Sequence, residues 1–281
     1  MAEPASQRTK IRPAAVAGSF YVADPQRLRT AVADLLAAAP ASAGASPKAL
    51  IVPHAGYVYS GGVAAAAFTT LKSDEQGISR VVLIGPAHYV AVRGIAVPTA
   101  DAFETPLGRV PIDRDAVSAI ADLPFVVQAD AAHAPEHALE VELPFLQTLL
   151  GSFALVPLVV GDADPRQVAE VLERLWGGPD TLIVVSSDLS HYHDYDTAQR
   201  LDAATAAAIE RGEWRSLGPD RACGFLPVAG LLVEADRRGL AARRLALCNS
   251  GDTAGPRDRV VGYGAWIWEE TPRDQFLQGG R

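Results

Sequence analysis

Three segments of the chain place a histidine or an aspartate directly after a run of apolar residues. His54 follows ALIVP, and His88 follows VVLIGPA. Asp188 and His191 come after the run LIVV and a pair of serines. In open α/β sheets, ligands bind outside the carboxyl ends of the strands, where the loops converge. The positions therefore predict that these imidazoles and this carboxylate meet at one site.

Two further segments carry groups that could bind a metal or move a proton. His137 and Glu140 are three residues apart, and Glu136 and Glu140 are four apart, so on a helix they would share one face. A solvated acidic first turn would have the same spacing. Cys223 precedes an apolar segment and could be a small buried side chain or a ligand. Spacing alone leaves both alternatives open at each position.

The remaining histidines and the second cysteine have simpler interpretations. His133 has no partner pattern, so we expect a solvated loop residue. His193 lies two residues after His191 and is expected to face solvent before the next helix. Cys248 ends a predicted strand and is expected to be a small buried side chain. Two cysteines are too few for a disulfide scaffold.

The composition is that of an ordinary globular protein. The chain has 281 residues, 49% hydrophobic and 21% charged, with a formal net charge of −8. A negative chain repels phosphate backbones and anionic lipid, so we expect no nucleic-acid or membrane partner. The opening segment has no apolar core, which predicts no signal peptide and a cytoplasmic protein. No linker divides the chain, so we predict one domain over 1–281 with short tails at about 1–11 and 271–281.

Runs of β-branched residues alternate with longer segments of helical periodicity, which is typical of strands and crossover helices. The predicted strands cover 49–52, 80–84, 94–97, 155–160, 181–185, 244–248 and 260–268. The predicted helices cover 25–38, 62–71, 114–121, 136–150, 165–176, 197–211 and 226–238. Several strands are apolar throughout, which favours a sheet covered by helices on both faces. Pro144 should kink or end the fourth helix.

Six segments resemble, in order, those of one protein family. They are AVAGSFY (15–21), PHAGYVYSG (53–61), GPAHY (85–89), EHALEVELPFL (136–146), SSDLSHY (186–192) and CGFLP (223–227). Over nearly its whole length the chain resembles the Memo family, also called AmmeMemoRadiSam system protein B. That family is related in fold to class III extradiol dioxygenases, which open catechol rings with non-haem iron(II). The resemblance implies a three-layer α/β/α sandwich around a mostly parallel mixed sheet.

The resemblance also implies a metal centre. It places one divalent metal on His54, His88 and Cys223, with iron(II) expected first and copper or zinc as alternatives. The dioxygenases have a glutamate where this chain has Cys223. A thiolate is softer than a carboxylate and can be oxidised in the pocket. We therefore expect catechol cleavage to be weak or absent.

Further side chains receive roles from the same resemblance. His191 is expected to act as the acid or base, and Asp188 to orient it or to accept a hydrogen bond from a ligand histidine. His137 is expected to bind the substrate or a water molecule. Three tyrosines follow the strand-end motifs and could line the pocket or simply pack, namely Tyr57, Tyr89 and Tyr192.

Two classes of function follow from these expectations. One is a metal-dependent redox enzyme that acts on an unknown small substrate. The other is a non-catalytic protein that stores a metal, or binds a peptide or a partner protein in the same cleft. Zinc hydrolysis is disfavoured because no separate carboxylate is clearly placed as its base. The family's name implies radical SAM and AMMECR-type proteins as partners.

Overall fold

The protein folds as a mixed nine-stranded sheet with helices on both faces, as seen in a computed structural model that describes residues 9–40, 47–71 and 77–270. The strands are β1 (Ile11–Arg12), β2 (Ala49–Val52), β3 (Arg80–Pro86), β4 (Ile95–Val97), β5 (Ala102–Thr105), β6 (Gly108–Pro111), β7 (Val126–Gln128), β8 (Ala154–Val160), β9 (Thr181–Ser186), β10 (His191–His193), β11 (Ala242–Asn249) and β12 (Val260–Trp268). The helices are α1 (Pro25–Ala38), α2 (Tyr57–Phe68), α3 (Arg114–Ser118), α4 (Asp130–His133), α5 (His137–Glu140), α6 (Leu143–Leu150), α7 (Pro165–Leu175), α8 (Tyr195–Glu210) and α9 (Phe225–Arg237). This architecture confirms the expected α/β sandwich.

The centre of the sheet consists of β2, β9, β3 and β8, which run parallel in that spatial order. Their residues are almost entirely buried because helices cover both faces. Antiparallel strands flank this centre, with β12 paired to β2 and β4 paired to β8. Since the carboxyl ends of the parallel strands lie at one edge, the loops that follow them converge there.

Most predicted elements are present, and the differences have local causes. The helix predicted over 136–150 is divided into α5 and α6, and Pro144 lies in the first turn of α6, where its missing N–H costs nothing. The helix predicted over 62–71 begins earlier, at Tyr57. The sequence-based prediction omits β1, β5, β6, β7, β10 and α4, because elements of two to four residues carry no periodic signal. Three of them, β1, β5 and β6, form a separate small sheet.

The predicted tails fall largely on residues 1–8 and 271–281, which lie outside the described residues. Within the first predicted tail, Ile11 pairs with Ala102 between β1 and β5. Among the residues described, no helix combines the length and the apolar character needed to cross a bilayer.

Glu140 is a fully buried carboxylate that ties the amino-terminal segment to α5. Its Oε2 atom accepts hydrogen bonds from the Arg12 guanidinium and from the backbone N–H of Ala15 (2.7 Å). Its Oε1 atom accepts from the backbone N–H of Val16 (3.0 Å) and from the Tyr21 hydroxyl. Four donors thus surround one buried charge, which offsets the cost of removing it from water.

Arg12 is also buried, and its guanidinium has further partners. It donates to the backbone carbonyls of His133 (3.0 Å) and Glu136 (2.6 Å). The guanidinium carbon also lies 5.2 Å from the ring centroid of Phe103 in β5. The chain that follows β1 is therefore held against α4 and α5 by a charged side chain with defined partners.

Removal of the Arg12 charge should destabilise the fold strongly. Arg12→Leu leaves the Glu140 carboxylate buried without its cation, so we expect the free energy of unfolding to fall by about 3–5 kcal/mol in urea denaturation. The exposed pair Arg109–Glu104 is a matched control, and Arg109→Leu should cost less than about 1 kcal/mol. The double variant Arg12→Leu/Glu140→Leu should recover part of the loss. Equal effects of the two single variants would contradict this account.

Candidate metal centre

The structure brings together His54, His88 and Cys223, whose ligand atoms all lie within 4.8 Å of one another. His54 lies two residues beyond β2, and His88 lies two residues beyond β3. Cys223 lies two residues before α9. The three side chains meet because β2 and β3 both pair in parallel with β9, and the loop before α9 lies at the end of β9.

Gly224 allows the Cys223 loop to approach β9. Its backbone N–H donates to the Ser187 hydroxyl at 2.9 Å. A Cβ atom at this position would lie 2.7 Å from the Cβ of Ser187, which is closer than carbon atoms pack. The close approach leaves Cys223 Sγ 3.4 Å from His54 Nε2.

His54 is a buried imidazole whose two nitrogens face different groups. Its Nδ1 atom lies 2.7 Å from the Ser186 hydroxyl, so Nε2 is the nitrogen that faces Cys223. Burial, and then the nearby imidazoles of His137 and His88, hold the pKa of His54 well below its ordinary value. The ring is therefore neutral, which is the form that binds metals.

The hydrogen bonds of Ser186 fix which nitrogen of His54 carries the proton. The Ser186 hydroxyl lies 2.7 Å from the Ala138 carbonyl, 2.7 Å from His54 Nδ1 and 3.0 Å from Glu142 Oε1. A hydroxyl has one proton, and a carbonyl can only accept, so Ser186 donates to Ala138. His54 Nδ1 and Glu142 must then both donate to Ser186. This assignment leaves the lone pair of His54 on Nε2.

Glu142 must be a neutral acid in this arrangement, and its surroundings agree. Burial raises the pKa of Glu142 well above its ordinary range; the hydrogen bond with Ser186 opposes this rise without reversing it, and Asp188 adds to it. Its second oxygen, Oε2, has no hydrogen-bond partner among the described residues. Burying the carbonyl oxygen of a neutral acid without a hydrogen bond costs much less free energy than burying a charged carboxylate oxygen without one.

His88 is oriented by Glu136. The buried Glu136 carboxylate lies 2.8 Å from His88 Nδ1 and accepts a hydrogen bond from the His88 backbone N–H at 2.7 Å. Burial alone would raise the pKa of Glu136, but the hydrogen bonds from His88 and from the Ala138 N–H lower it overall. A carboxylate on the far nitrogen of a ligand histidine raises its basicity and fixes its tautomer.

The sequence analysis left open whether Glu136 and Glu140 form a solvated acidic turn, and that alternative is wrong. Both carboxylates are buried. Glu136 is hydrogen-bonded to His88, and Glu140 accepts a hydrogen bond from Arg12. The sequence contains both partners but no pattern that pairs them, since each pair joins segments far apart in the chain.

A second cluster of potential ligands, His88, Glu136 and His137, is less suited to a metal. Glu136 Oε1 already accepts hydrogen bonds from His88 Nδ1 and from the Ala138 N–H, and Oε2 accepts from the His88 N–H. A metal there would have to displace these donors. The cluster with Cys223 requires no such displacement.

The chemistry of the donors in the first cluster fits a soft or borderline divalent metal. Burial, and then the charge of Asp188, raise the pKa of Cys223 to about 12, so the thiol keeps its proton at neutral pH when no cation is present. A bound cation displaces such a proton. Two imidazoles and one thiolate are ligands that zinc, copper and iron accept.

A pocket of about 350 Å³ adjoins the cluster and is lined in part by His137, Asp188 and His191. His191 Nδ1 lies 2.8 Å from the Leu189 carbonyl, so Nδ1 carries the proton and Nε2 has the lone pair. Burial lowers the pKa of His191. Asp188 instead accepts a hydrogen bond from the His54 backbone N–H at 2.8 Å. Of the two roles expected for Asp188, the structure therefore favours a hydrogen bond from the candidate ligand His54, through its backbone N–H, while the Leu189 carbonyl orients His191.

His137 links the cluster to the pocket. Its ring stacks on His88 with centroids 4.6 Å apart and lies 5.2 Å from the His54 ring. Burial, followed by the effect of His88, lowers the pKa of His137 to about 4. Its Nδ1 atom is buried and makes no hydrogen bond among the described residues, although Glu136 Oε1 lies 3.4 Å away. A polar atom of this kind is available to a ligand.

The three tyrosines have different positions. Tyr192 lines the pocket and is 62% exposed. Tyr89 is 55% exposed, and its ring lies 5.6 Å from that of His137. Tyr57 does not line this pocket; its hydroxyl donates to the Val141 carbonyl at 2.8 Å, and its ring packs on Phe145.

The other residues considered in the sequence lie outside the cluster. His133 is buried rather than solvated, because α4 packs against β4 and places His133 Nε2 3.0 Å from the Ala96 carbonyl. His193 is half-buried in β10, and Cys248 is half-buried in β11.

The neutral state of Glu142 makes a prediction about stability. Glu142→Gln supplies an amide donor to Ser186, so the free energy of unfolding at pH 5 should change by less than about 1 kcal/mol. Because the pKa of Glu142 is raised in the folded protein, its ionisation on unfolding favours the unfolded state increasingly above the ordinary pKa. The variant should therefore gain stability relative to wild type between pH 5 and pH 8 in urea denaturation.

Ser186→Ala is the matched control for this prediction. It removes the group that accepts hydrogen bonds from His54 Nδ1 and Glu142. The free energy of unfolding should therefore fall by about 1–3 kcal/mol across the same pH range. If Glu142→Gln lost stability relative to wild type as the pH rose, Glu142 would be a carboxylate in the folded protein.

Comparison with known proteins places the chain in a family. The family model described as Memo-like protein matches residues 12–267. The chain is 36% identical over 267 residues to a MEMO1 family protein of Aquifex aeolicus, covering 90% of this chain and 97% of that protein. It is 34% identical over 277 residues to a MEMO1 family protein of Sulfolobus acidocaldarius, covering 90% and 97%. An uncharacterized protein from Escherichia coli K12, 14% identical, superposes with a TM-score of 0.48 over 78% of this chain and 98% of that chain. The chain belongs to the Memo family.

Proposed function

We propose that this protein binds one divalent metal through His54, His88 and Cys223 and uses it for redox chemistry on a small molecule in the adjacent pocket. The observation that carries the proposal is the convergence of these three donors, from separate parts of the chain, within 4.8 Å. Their environment supports it. The far nitrogens of both imidazoles are engaged by Ser186 and Glu136, so each ring has its other nitrogen available for a metal.

Iron(II) is the proposed metal, with copper and zinc as the alternatives to be separated by analysis. When bound, such a metal supplies Lewis acidity, and iron or copper also supplies electron transfer. The thiolate of Cys223 distinguishes this donor set from the two imidazoles and one carboxylate of non-haem iron(II) oxygenases.

The chain's own side chains supply binding and proton transfer. His191 Nε2 has a free lone pair and lines the pocket, so it can take a proton from a substrate hydroxyl. His137 Nδ1 makes no hydrogen bond within the described part of the chain, with Glu136 Oε1 3.4 Å away, and can bind a polar group of the substrate. Phe20 lines the pocket, and its ring centroid lies 4.6 Å from that of His137, so it can pack against an apolar part of the substrate.

A second candidate function is a non-catalytic one in which the same cleft binds a metal together with a peptide or a partner protein. Tyr89 and Tyr192, which lie beside the cleft, are largely exposed. Exposed aromatic side chains are enriched at protein interfaces. Radical SAM and AMMECR-type proteins are the partners we would test first.

The metal site is tested by elemental analysis of protein purified without oxygen or added metal. We expect a stoichiometry near one per chain for wild type. His54→Ala, His88→Ala and Cys223→Ala should each lose most of the metal on dialysis against a mild chelator, because each removes a ligand. His193→Ala is the control and should keep it. Full metal content in the His54 and His88 variants would refute the assignment.

His191→Ala separates catalysis from metal binding. The variant should keep the metal, because the imidazole is assigned to proton transfer. Any oxygen uptake that the metal-loaded wild type shows with small phenols or catechols should fall by about 10²- to 10⁴-fold. Loss of metal together with activity would indicate a fourth ligand. Absence of uptake by a metal-loaded wild type would favour the non-catalytic alternative.

A further inference from the structure

Arg259 is a cation in the wall of the pocket that the metal centre does not use. It is exposed and directly precedes β12. Other arginines form ion pairs with carboxylates, for example Arg80 with Asp113 and Arg244 with Glu210. Within residues 9–40, 47–71 and 77–270, no carboxylate forms an ion pair with Arg259. Its charge is therefore available to a ligand.

Tyr192 holds the guanidinium in place. The guanidinium carbon of Arg259 lies 4.3 Å from the centroid of the Tyr192 ring. Stacking uses the face of the guanidinium and leaves its N–H edges free, and two parallel N–H groups match the two oxygens of a carboxylate.

Tyr192, which contacts Arg259, has an unusual backbone conformation. Its φ of 64° is in the left-handed region, which is unfavourable for a residue other than glycine. It occurs where the pairing of β10 with β12 is irregular, between His191 and His193. The irregularity places His191 and Tyr192 in the wall of the same pocket, beside Arg259.

The rest of the wall favours an aromatic body on the ligand. Phe20, Tyr59 and Tyr263 line the pocket together with Tyr192. The volume of about 350 Å³ suits a small molecule rather than a folded partner. One arginine matches the single charge of a carboxylate better than the double charge of a phosphate monoester.

We propose that Arg259 binds the carboxylate of a small aromatic ligand whose ring occupies the pocket beside His137 and His191. This inference deepens the proposed function, on which it rests for the reaction, by giving the class of its substrate. The binding itself requires only Arg259 and the aromatic wall.

The test is calorimetric titration of the protein with benzoate, with its neutral analogue benzamide and with phenyl phosphate. Benzoate should bind wild type more tightly than benzamide does. Arg259→Gln should weaken benzoate binding by about tenfold, the effect of losing a charge-assisted bidentate contact that is partly screened by solvent. Benzamide binding should not change in this variant.

Arg257→Gln is the matched control, since Arg257 stacks on Tyr195 at 4.4 Å and does not line the pocket. It should leave benzoate binding unchanged. Equal losses in the two arginine variants, or none in Arg259→Gln, would overturn the proposal. Phenyl phosphate that binds more tightly than benzoate, through Arg259, would overturn the choice of a carboxylate.

Titrations before and after chelation of the metal separate the two proposals. If benzoate binding disappears on chelation but survives in Arg259→Gln, the anion binds the metal and the Arg259 site is excluded. Metal content in Arg259→Gln should equal that of wild type. If the metal stoichiometry fails while Arg259-dependent benzoate binding persists, the proposed redox function fails and the ligand site stands.

Discussion

The buried carboxylate of Glu140 holds the site in place through α5. This helix has only four residues, too few to be stable by itself, so its position depends on tertiary contacts. Arg12, two backbone N–H groups and the Tyr21 hydroxyl all converge on Glu140. Ala138 and Leu139, which precede Glu140 in α5, lie beside Gly85 of β3, and the Ala138 carbonyl accepts a hydrogen bond from Ser186 of β9.

Three groups of the site depend on that position. Glu136, at the start of α5, orients His88, and the Ala138 carbonyl accepts from Ser186, which sets the tautomer of His54. The ring of His137 packs against those of His54 and His88 and also lines the pocket. One ion pair on the far side of a short helix therefore positions both imidazoles of the candidate metal centre, although neither histidine touches it.

Burial has opposite effects on acids and bases, and here both effects leave the side chains uncharged. It lowers the pKa values of His54, His137 and His191 and raises those of Cys223 and Glu142. The side chains of His54, His137, His191 and Cys223 therefore have lone pairs but little charge of their own. His54 Nε2 and Cys223 Sγ can accept a divalent cation without first breaking an ion pair.

The local sequence was sufficient for the central sheet and for the neighbourhood of the site. The apolar runs that form β2, β3, β8 and β9 identified the buried strands, and polar residues at their ends indicated where His54, His88 and Asp188 would lie. Strand ends can be inferred this way because the apolar pattern and its termination are local properties of the chain. The Memo-type segments then added Cys223 to the group.

Contacts between distant segments were decided only by the tertiary structure. The pairing of Glu136 with His88, of Arg12 with Glu140, and of β10 with β12 has no local signature. Which of the two roles expected for Asp188 applies was also decided by the tertiary structure, since Asp188 accepts from the His54 backbone N–H and the Leu189 carbonyl lies beside His191 Nδ1. A hydrogen bond or an ion pair needs two groups at a set distance and angle, and a sequence shows which groups exist but not which pairs the folded backbone brings within reach.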